Sequence, residues 1–325
     1  MKRKGYSLKM IKSKKATKNL KQDFLKLLRC PVSGMSLIQE GNILKPISGK
    51  TQYEINDSGI PLFVKDFSSS DTLIQQAHYD KIANAYIENL SYPHTQEYMR
   101  YLDNAWLSII NNERLKTIAE ICCGRGESFQ LLKNKVGCGV GVDVSVAMLE
   151  SALKEHKEPH LFFLQGDATM LPLASNSFES VFIRGGIHHV NNREALFSEI
   201  YRILKPEGRF YFIEPVDDFI LWRWIRKIIY RISPALDHKT ESPLLYKETL
   251  SQLEKAGFKL PYWKTFGFFG CALFMNSDVL IFNRVFRFIP GIRSITRFFT
   301  KLDEWFLRIP FLKGSGLQVI GYAEK

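Results

Sequence analysis

Hydrophobic residues between positions 117 and 213 fall into two alternating kinds of segment. Short apolar runs predict strands, and segments with apolar residues three or four positions apart predict helices. The predicted strands cover residues 117–122, 139–142, 161–165, 180–183 and 209–213, the predicted helices cover residues 129–132, 147–153 and 193–204, and a final strand is predicted at 317–322. Strands that alternate with helices in this way predict a parallel sheet with helices on both faces.

The segments before this pattern predict a smaller unit and two helices. Residues 23–66 combine a short amphipathic stretch with strand-like runs and turn signals, which predict a small β-rich module. Serines at 68–70 are typical of a linker. Helical spacing of apolar residues follows at 71–90 and 94–113. We therefore expect the main domain to span residues 71–325.

Basic residues are concentrated at the start of the chain. The 325 residues carry a formal net charge of +12, and positions 1–21 hold nine Lys or Arg before the first acid, Asp23. We interpret residues 1–22 as a basic leader that is expected to be disordered. Such a leader is compatible with an anionic partner, either nucleic acid or lipid, or with simple solvation. The hydrophobic content of 45% is enough for a large core and excludes global disorder.

Cysteine usage and the lack of long apolar segments predict a cytoplasmic protein. The five cysteines are odd in number and irregularly spaced, so we expect reduced thiols rather than a disulfide framework. The N-terminus lacks the apolar core of a signal peptide. No charge-free apolar stretch of about 18 residues occurs, so no transmembrane helix is predicted.

A candidate ligand site follows from three strand ends. The strand that contains Glu120 runs into a turn of small residues, including Gly124 and Gly126, that opens a helix. Small residues let the backbone approach a ligand, and the helix N-terminus offers unpaired N–H groups. The next two strands end at Asp143 and Asp167, where carboxylates can bind the ribose hydroxyls and the adenine amino group of a nucleoside. These ends should meet in one crevice, as in open α/β sheets.

These motifs, in this order, resemble the class I S-adenosylmethionine (SAM) dependent methyltransferases of ubiquinone and menaquinone biosynthesis, over residues of about 74–215. The resemblance implies a Rossmann-like, seven-stranded, mostly parallel sheet and SAM as the cofactor. The first glycine of the family's glycine-rich motif is replaced by Cys122. The cofactor-binding residues that we predict are Glu120, Cys122, Gly124, Gly126, Asp143, Val144, Met148, Asp167, Ala168 and Arg184.

The 23–66 module resembles the zinc-ribbon unit that precedes some methyltransferases or is a separate partner of others. That unit uses paired cysteines, which suit tetrahedral zinc. Here only Cys30 remains, because Ser33 and Ser48 stand where further ligands are expected. One thiolate cannot hold a structural zinc, so we predict a degenerate, metal-free module.

Candidates for catalysis lie just after the fourth strand of the main domain. His188 and His189 are expected beside the methyl group, where a histidine can act as a general base or can simply shape the wall. Of the two, His189 is the better candidate for a structural role. Tyr79 is expected on a helix that covers SAM, and Glu214 can face the acceptor. Arg184 can meet an anionic group or turn to solvent.

Two insertions, at 217–243 and 275–313, exceed a minimal methyltransferase. Their segments 219–231 and 278–313 are rich in aromatic residues and Arg and poor in acids. Such segments are typical of helices that lie in a membrane interface. Two alternatives remain: a lid that packs on the core, and a surface that stacks bases and binds phosphates.

Three functions are compatible with these patterns. The first is a methyltransferase for a small or amphiphilic acceptor, for example a lipidic, prenylated or polyketide-like one. The second is an RNA methyltransferase, disfavoured by the heavy apolar content and by the absence of an Asn-Pro-Pro-Tyr-like motif. The third is a catalytically silent SAM-domain interaction protein, supported only by Cys122. Oligomeric state and the acceptor atom are not determined by the sequence.

Overall fold

The structure is a computed structural model that describes residues 19–65, 70–110, 115–232, 242–275 and 281–325. Its strands are β1 Leu37–Glu40, β2 Ile43–Pro46, β3 Tyr53–Ile55, β4 Pro61–Leu62, β5 Leu115–Ile121, β6 Val136–Asp143, β7 Leu161–Gln165, β8 Phe178–Arg184, β9 Leu204–Pro215, β10 Lys259–Phe266 and β11 Gln318–Glu324. Its helices are α1 Gln22–Leu25, α2 Ser70–Leu90, α3 Pro93–Ile109, α4 Glu127–Leu132, α5 Val146–Glu155, α6 Arg193–Ile203, α7 Ile220–Ile232, α8 Tyr246–Lys255, α9 Phe269–Phe274 and α10 Ile292–Arg308.

Seven strands form the sheet of the main domain in the order β7-β6-β5-β8-β9-β11-β10. Strands β5 to β9 pair in parallel, whereas β11 lies antiparallel between β9 and β10. The predicted α/β fold with a mostly parallel sheet is therefore confirmed. The chain runs outward from β5 in one direction and then restarts at β8 on its other side. This change of direction opens a crevice at the carboxyl ends of the strands.

The core lies on both faces of this sheet because side chains alternate along each strand. In β5, Ala119 and Ile121 pack with the buried residues of α6 and α8. Ile118 points the other way and packs with Trp106 of α3 and Leu149 of α5. The predicted placement of helices on both faces is confirmed.

The N-terminal segment extends the sheet. Strands β1 to β4 form an antiparallel unit, and β4 pairs in parallel with β7 through Leu62 and Gln165. The Phe24 ring stacks on Phe162 of β7 with 4.2 Å between ring centroids. Within the part of the chain that the structure describes, the continuous sheet therefore has 11 strands. The seven strands expected from the resemblance are its larger part, and the N-terminal unit covers their β7 edge.

The two insertions form helices outside the sheet. Residues 217–243 contain α7, and residues 233–241 lie outside the described residues. Residues 275–313 contain a 3-10 helix at Ile281–Phe288 and then α10, and residues 276–280 again lie outside the described part. The basic leader lies almost wholly outside it, since the first described residue is 19. Within the described ranges, no helix is both long and apolar enough to cross a bilayer.

Candidate functional site

An open pocket lies at the carboxyl ends of β5 to β8, and the space inside it together with its solvent-filled mouth is about 1120 Å³. Its walls come from α2, from the turn after β5, from the ends of β6 to β8 and from the segment 185–192. Eight predicted cofactor residues line it: Cys122, Gly124, Asp143, Val144, Met148, Asp167, Ala168 and Arg184. The structure therefore brings together residues that are up to 62 positions apart in the sequence.

The turn after β5 has a backbone that favours small residues. Three of its residues have left-handed φ angles: Cys122 at 52°, Gly124 at 51° and Gly126 at 79°. Cys122 adopts in this way the conformation that a glycine would take most easily. Its side chain lies against Gly186, where an added Cβ would be 2.5 Å from the Cys122 Cβ. Gly126 lines no part of the pocket but lies against His156, where a Cβ would be 2.9 Å from Nε2.

Asp143 organises the turn next to the pocket. Its carboxylate accepts hydrogen bonds from the backbone N–H of Gly124 at 2.7 Å and of Ser145 at 2.9 Å. Burial raises the pKa of Asp143, and these N–H donors partly oppose that rise. The carboxylate thus fixes the spacing between the turn after β5 and the end of β6, and it lines the pocket at that point.

Asp167 has a similar role at the end of β7. It accepts hydrogen bonds from the backbone N–H of Thr169 at 2.8 Å and from the Thr169 hydroxyl at 2.6 Å. Its other oxygen accepts a 2.7 Å hydrogen bond from the hydroxyl of Thr72 on α2. The second acid is therefore connected to the helix that covers the pocket.

Helix α2 lies over the pocket and is hydrogen-bonded to the surrounding segments at three points. Besides Thr72, Asp80 accepts a hydrogen bond from the Ser145 hydroxyl at 2.5 Å and from the backbone N–H of Ala147 at 3.2 Å. Tyr79 is hydrogen-bonded to Nε2 of His189 at 2.6 Å. The sequence indicated Tyr79 as a covering residue. It gave no signal for Thr72 or Asp80, because both look like ordinary polar positions on a helix.

Ionisable groups are buried at the end of the pocket next to α4. Glu120 lies below the turn, outside the pocket lining, and accepts a 2.9 Å hydrogen bond from the backbone N–H of Ser128. Burial raises the pKa of Glu120 to about 8, and its second oxygen is buried without a partner. Glu127, which sequence reasoning missed, lines the pocket together with Arg184. Its position as the first residue of α4 is the signal that could have identified it.

Arg184 is held in place from one side only. Its Nη2 donates to Asp103 of α3, and its guanidinium lies 4.9 Å from the centre of the Trp106 ring. Its Nε and Nη1 are buried without a hydrogen-bond partner. A buried guanidinium with donors to spare is suited to an anionic ligand group.

The two candidate histidines face different ways. His188 Nδ1 lies 2.7 Å from Glu214, which also accepts from the backbone N–H groups of Gly186 at 2.7 Å and Ile187 at 2.8 Å. His188 is not in the pocket lining, whereas His189 is. Glu214 therefore holds the loop after β8, and the histidine that reaches the pocket is His189.

The sequence predicted a metal-free N-terminal module in which Cys30 is the one remaining candidate ligand. Buried Cys30 lies with Sγ 3.2 Å from the Tyr53 hydroxyl. Across the described ranges, no group of three or more His, Cys, Asp or Glu side chains is arranged to hold a metal ion. The zinc-ribbon origin of residues 23–66 stays a prediction.

The pocket residues fit an adenosyl group with an amino-acid tail. Asp143 and Asp167 offer acceptors for ribose and adenine, and Met148 gives an apolar contact. The spare donors of Arg184 suit a carboxylate, and Glu127 suits an ammonium group. The glycines leave room for the ligand next to the backbone, and an added Cβ at Gly124 would be 3.3 Å from Met148 Cε.

Comparisons with known proteins agree with this arrangement. Residues 119–212 match the family model described as a methyltransferase domain. The demethylmenaquinone methyltransferase of Lactococcus lactis subsp. lactis (strain IL1403) is 38% identical over 104 residues, which are 30% of this chain and 41% of that protein. The chain thus spans less than half the length of that relative.

Two further proteins extend the match. The demethylmenaquinone methyltransferase of Lactiplantibacillus plantarum is 25% identical over 218 residues, which are 59% of this chain and 91% of that protein. A Haemonchus contortus N-methyltransferase, solved with phosphomonomethylethanolamine and S-adenosylhomocysteine, superposes with a TM-score of 0.53 at 17% identity over 89% of this chain and 70% of that one. At this identity the superposition supports the fold alone.

Proposed function

We propose that this chain, which is a class I SAM-dependent methyltransferase, transfers its methyl group to a small or amphiphilic acceptor. Its cofactor is SAM. The observation that carries the proposal is the single pocket formed by the turn after β5, Asp143, Asp167 and Arg184. The names of the two bacterial relatives support an acceptor with a quinone-like ring and an apolar tail.

In the proposed complex, different walls of the pocket bind different parts of the cofactor. Asp143 accepts from the ribose hydroxyls, and Asp167 accepts from the adenine amino group. Arg184 donates to the carboxylate of the methionine end, and Glu127 accepts from its ammonium group. Glu120 keeps the helix α4 N-terminus in place through the Ser128 N–H.

The cofactor, when bound, supplies an activated methyl group on a sulfonium, which an acceptor atom attacks in line. The chain has to position the acceptor, exclude water and accept a proton. His189 is the residue that we propose to face the acceptor, with Tyr79 donating to or accepting from its Nε2. Either group can relay the proton that leaves the acceptor. Glu214 and His188 act as positioning residues that hold the 186–188 loop.

Pocket chemistry supports a compact acceptor rather than RNA. The lining around Val190, Asn191 and Asn192 mixes one apolar side chain with two amides, and Arg184 is the single Lys or Arg among the residues that line the described pocket. A surface for a polynucleotide needs several cations along a groove. We further propose that the enzyme works in the cytoplasm.

Cofactor binding tests the first part of the proposal. Titration calorimetry with S-adenosylhomocysteine should give a measurable heat with the intact chain. Asp143→Ala should weaken binding by about 10- to 100-fold, because it removes hydrogen bonds to a buried ligand. Asp57→Ala, on the N-terminal unit, is a matched control and should bind normally. Equal affinity for both variants would contradict the assigned site.

Acceptor assays test the second part. Labelled SAM should transfer its methyl group to demethylmenaquinone with a short tail in detergent. The same protein should leave ribosomal RNA unlabelled. His189→Ala should lower kcat with little change in cofactor affinity. The variants Tyr79→Phe and Tyr79→Asn test whether the Tyr79 hydroxyl takes part in the proton relay. Labelled RNA together with an unlabelled quinone would refute the proposal.

A further inference from the structure

Helix α10 exposes apolar residues to solvent. Its packed side combines the buried polar residues Thr296, Thr300 and Asp303 with Ile292 and the partly buried Phe299, Phe306 and Leu307. The opposite side exposes Ile295 together with two aromatic residues, Phe298 and Trp305, at 62% and 57% exposure. A helix at the surface of a soluble domain normally exposes polar residues on the side that faces away from the core. Its exposed stripe therefore indicates a partner.

Polar contacts fix this orientation. The buried Asp303 carboxylate accepts hydrogen bonds from the Tyr98 hydroxyl at 2.7 Å, the backbone N–H of Gly270 at 2.9 Å and that of Cys271 at 3.1 Å. Rotation of α10 to bury Phe298 and Trp305 would break these hydrogen bonds and leave the buried donors of Tyr98, Gly270 and Cys271 without an acceptor, which is costly. The apolar stripe is thus held outward.

Helix α7 continues the same surface. Trp222 is buried and its indole N–H donates to the Ser315 carbonyl at 3.0 Å, whereas Ile220, Trp224 and Ile228 on α7 are exposed. The half-exposed Phe269 connects the two helices. Its ring centroid lies 5.9 Å from that of Trp222 and 5.5 Å from that of Phe306 on α10.

The flanks of this surface are basic. Residues 219–232 and 281–313 hold eleven Lys and Arg against two acids, Asp303 and Glu304. Five of these cations also pair with acids outside the two ranges, namely Arg223 and Arg226 with Asp217, Arg287 with Glu88, and Arg293 and Arg297 with Glu97, so the surface keeps a smaller net positive charge. Asp303 is buried, so Glu304 is the one acid of these two ranges that is exposed. Two apolar residues that flank α10 are also exposed: Phe288, before the helix, is 73% exposed, and Phe311, after it, is 81% exposed. Aromatic residues interspersed with cations are typical of helices that lie at a bilayer interface, where the apolar lipid tails meet the anionic head groups.

The surface begins at the same edge of the sheet as the pocket. Helix α7 starts five residues after β9 ends at Pro215. Helix α10 is followed by β11, whose first residue Gln318 is opposite Pro215. Phe266, just before α9, is in turn opposite Gln318. All three helices therefore connect to the sheet at the carboxyl ends of its parallel strands.

We propose that α7, the 3-10 helix Ile281–Phe288 and α10 form a docking surface for a bilayer that contains anionic lipid. We call this set the docking surface. Charge favours this occupant over a second copy of the chain, because two copies would bring together two surfaces that each have a net positive charge. A bilayer supplies both the apolar interior and the negative charge. The proposal is independent of the methyl-transfer chemistry. Binding to a bilayer would bring the pocket close to acceptors that are dissolved in the lipid.

Vesicle flotation of the full chain tests the proposal. The protein should float with vesicles of phosphatidylcholine and phosphatidylglycerol and remain at the bottom with phosphatidylcholine alone. The double variant Phe298→Ser, Trp305→Ser should lose about 30-fold or more in vesicle affinity, because two large apolar side chains no longer insert. The control Ile47→Ser removes an equally exposed apolar residue from the N-terminal unit and should leave binding unchanged.

Two further measurements make the test specific. Brominated lipids should quench the tryptophan emission of the intact chain, and Trp224→Phe with Trp305→Phe should remove most of that quenching. Both sets of variants should keep the thermal shift caused by S-adenosylhomocysteine, which verifies the fold. Failure to float with anionic vesicles overturns the proposal. So does a dimer in light scattering that the double Ser variant converts to a monomer.

Discussion

Ionisation of Glu120 should make the chain less stable as pH rises. Burial raises the pKa of this carboxyl from its ordinary value of 4.5 to about 8. Between these two pH values the folded chain keeps a proton that the unfolded chain has lost. The free energy of unfolding must then fall with rising pH across that window. The full displacement corresponds to an upper bound of about 5 kcal/mol, at about 1.4 kcal/mol for each tenfold change.

The variant Glu120→Gln isolates this effect. Glutamine keeps the carbonyl oxygen that accepts from Ser128, but it carries no charge at any pH. We expect the variant and the intact chain to unfold at similar urea concentrations at pH 4.5. At pH 8.5 the variant should be more stable by roughly 2–5 kcal/mol. Urea denaturation without cofactor, followed by circular dichroism at several pH values, measures the difference.

The control for a lost charge is Glu54→Gln, on an exposed position of β3. A constant difference between Glu120→Gln and the intact chain from pH 4.5 to 8.5 would refute the reasoning. It would mean that Glu120 ionises in the folded chain as easily as in the unfolded one, by relaxation of the turn or by entry of water.

Three other substitutions give separate tests. Gly126→Ala should destabilise the chain by about 1–3 kcal/mol in urea, because the new side chain would have a left-handed φ and would contact His156. The control is Gly41→Ala, where φ is also left-handed but the space around an added Cβ is open. An equal loss of stability in the control would show that the contact with His156 is unimportant. Phe24→Ala should lower stability by about 3–5 kcal/mol by removing the stack on β7, and a change below 1 kcal/mol would contradict a packed edge. Tyr79→Phe should speed dissociation of S-adenosylhomocysteine in stopped flow, since it removes one contact that holds α2, whereas an unchanged rate would assign the Tyr79 hydroxyl to chemistry alone.

The sheet could be predicted because its parallel strands are buried on both faces. Such strands appear in the sequence as apolar runs, and the helices between them have a distinct spacing. The pairing of strand β4 with β7 could not be predicted, since β4 has two residues and Leu62 pairs with Gln165, which lies 103 positions later. Long-range pairing of so short a strand leaves no local pattern.

Within the pocket, residues at strand ends were predictable and residues on the covering helix were not. Asp143 and Asp167 follow apolar runs at regular intervals, so topology alone brings them together. Thr72 meets Asp167 across 95 positions, and nothing near either residue indicates the contact. The faces of α10 were hidden for another reason. Both its buried and its exposed sides mix apolar with polar residues, so periodicity alone does not show which side faces the core.

The parallel pairing of β4 with β7 has a consequence for shortened forms of the protein. Without the first 69 residues, β7 would become the outermost strand of the sheet, with unpaired backbone groups and the apolar Phe162 ring exposed to water. Strands in that condition recruit other strands, so we expect such a truncated form to self-associate into aggregates. The N-terminal unit would then protect the β7 edge and keep the main domain of the chain from self-association.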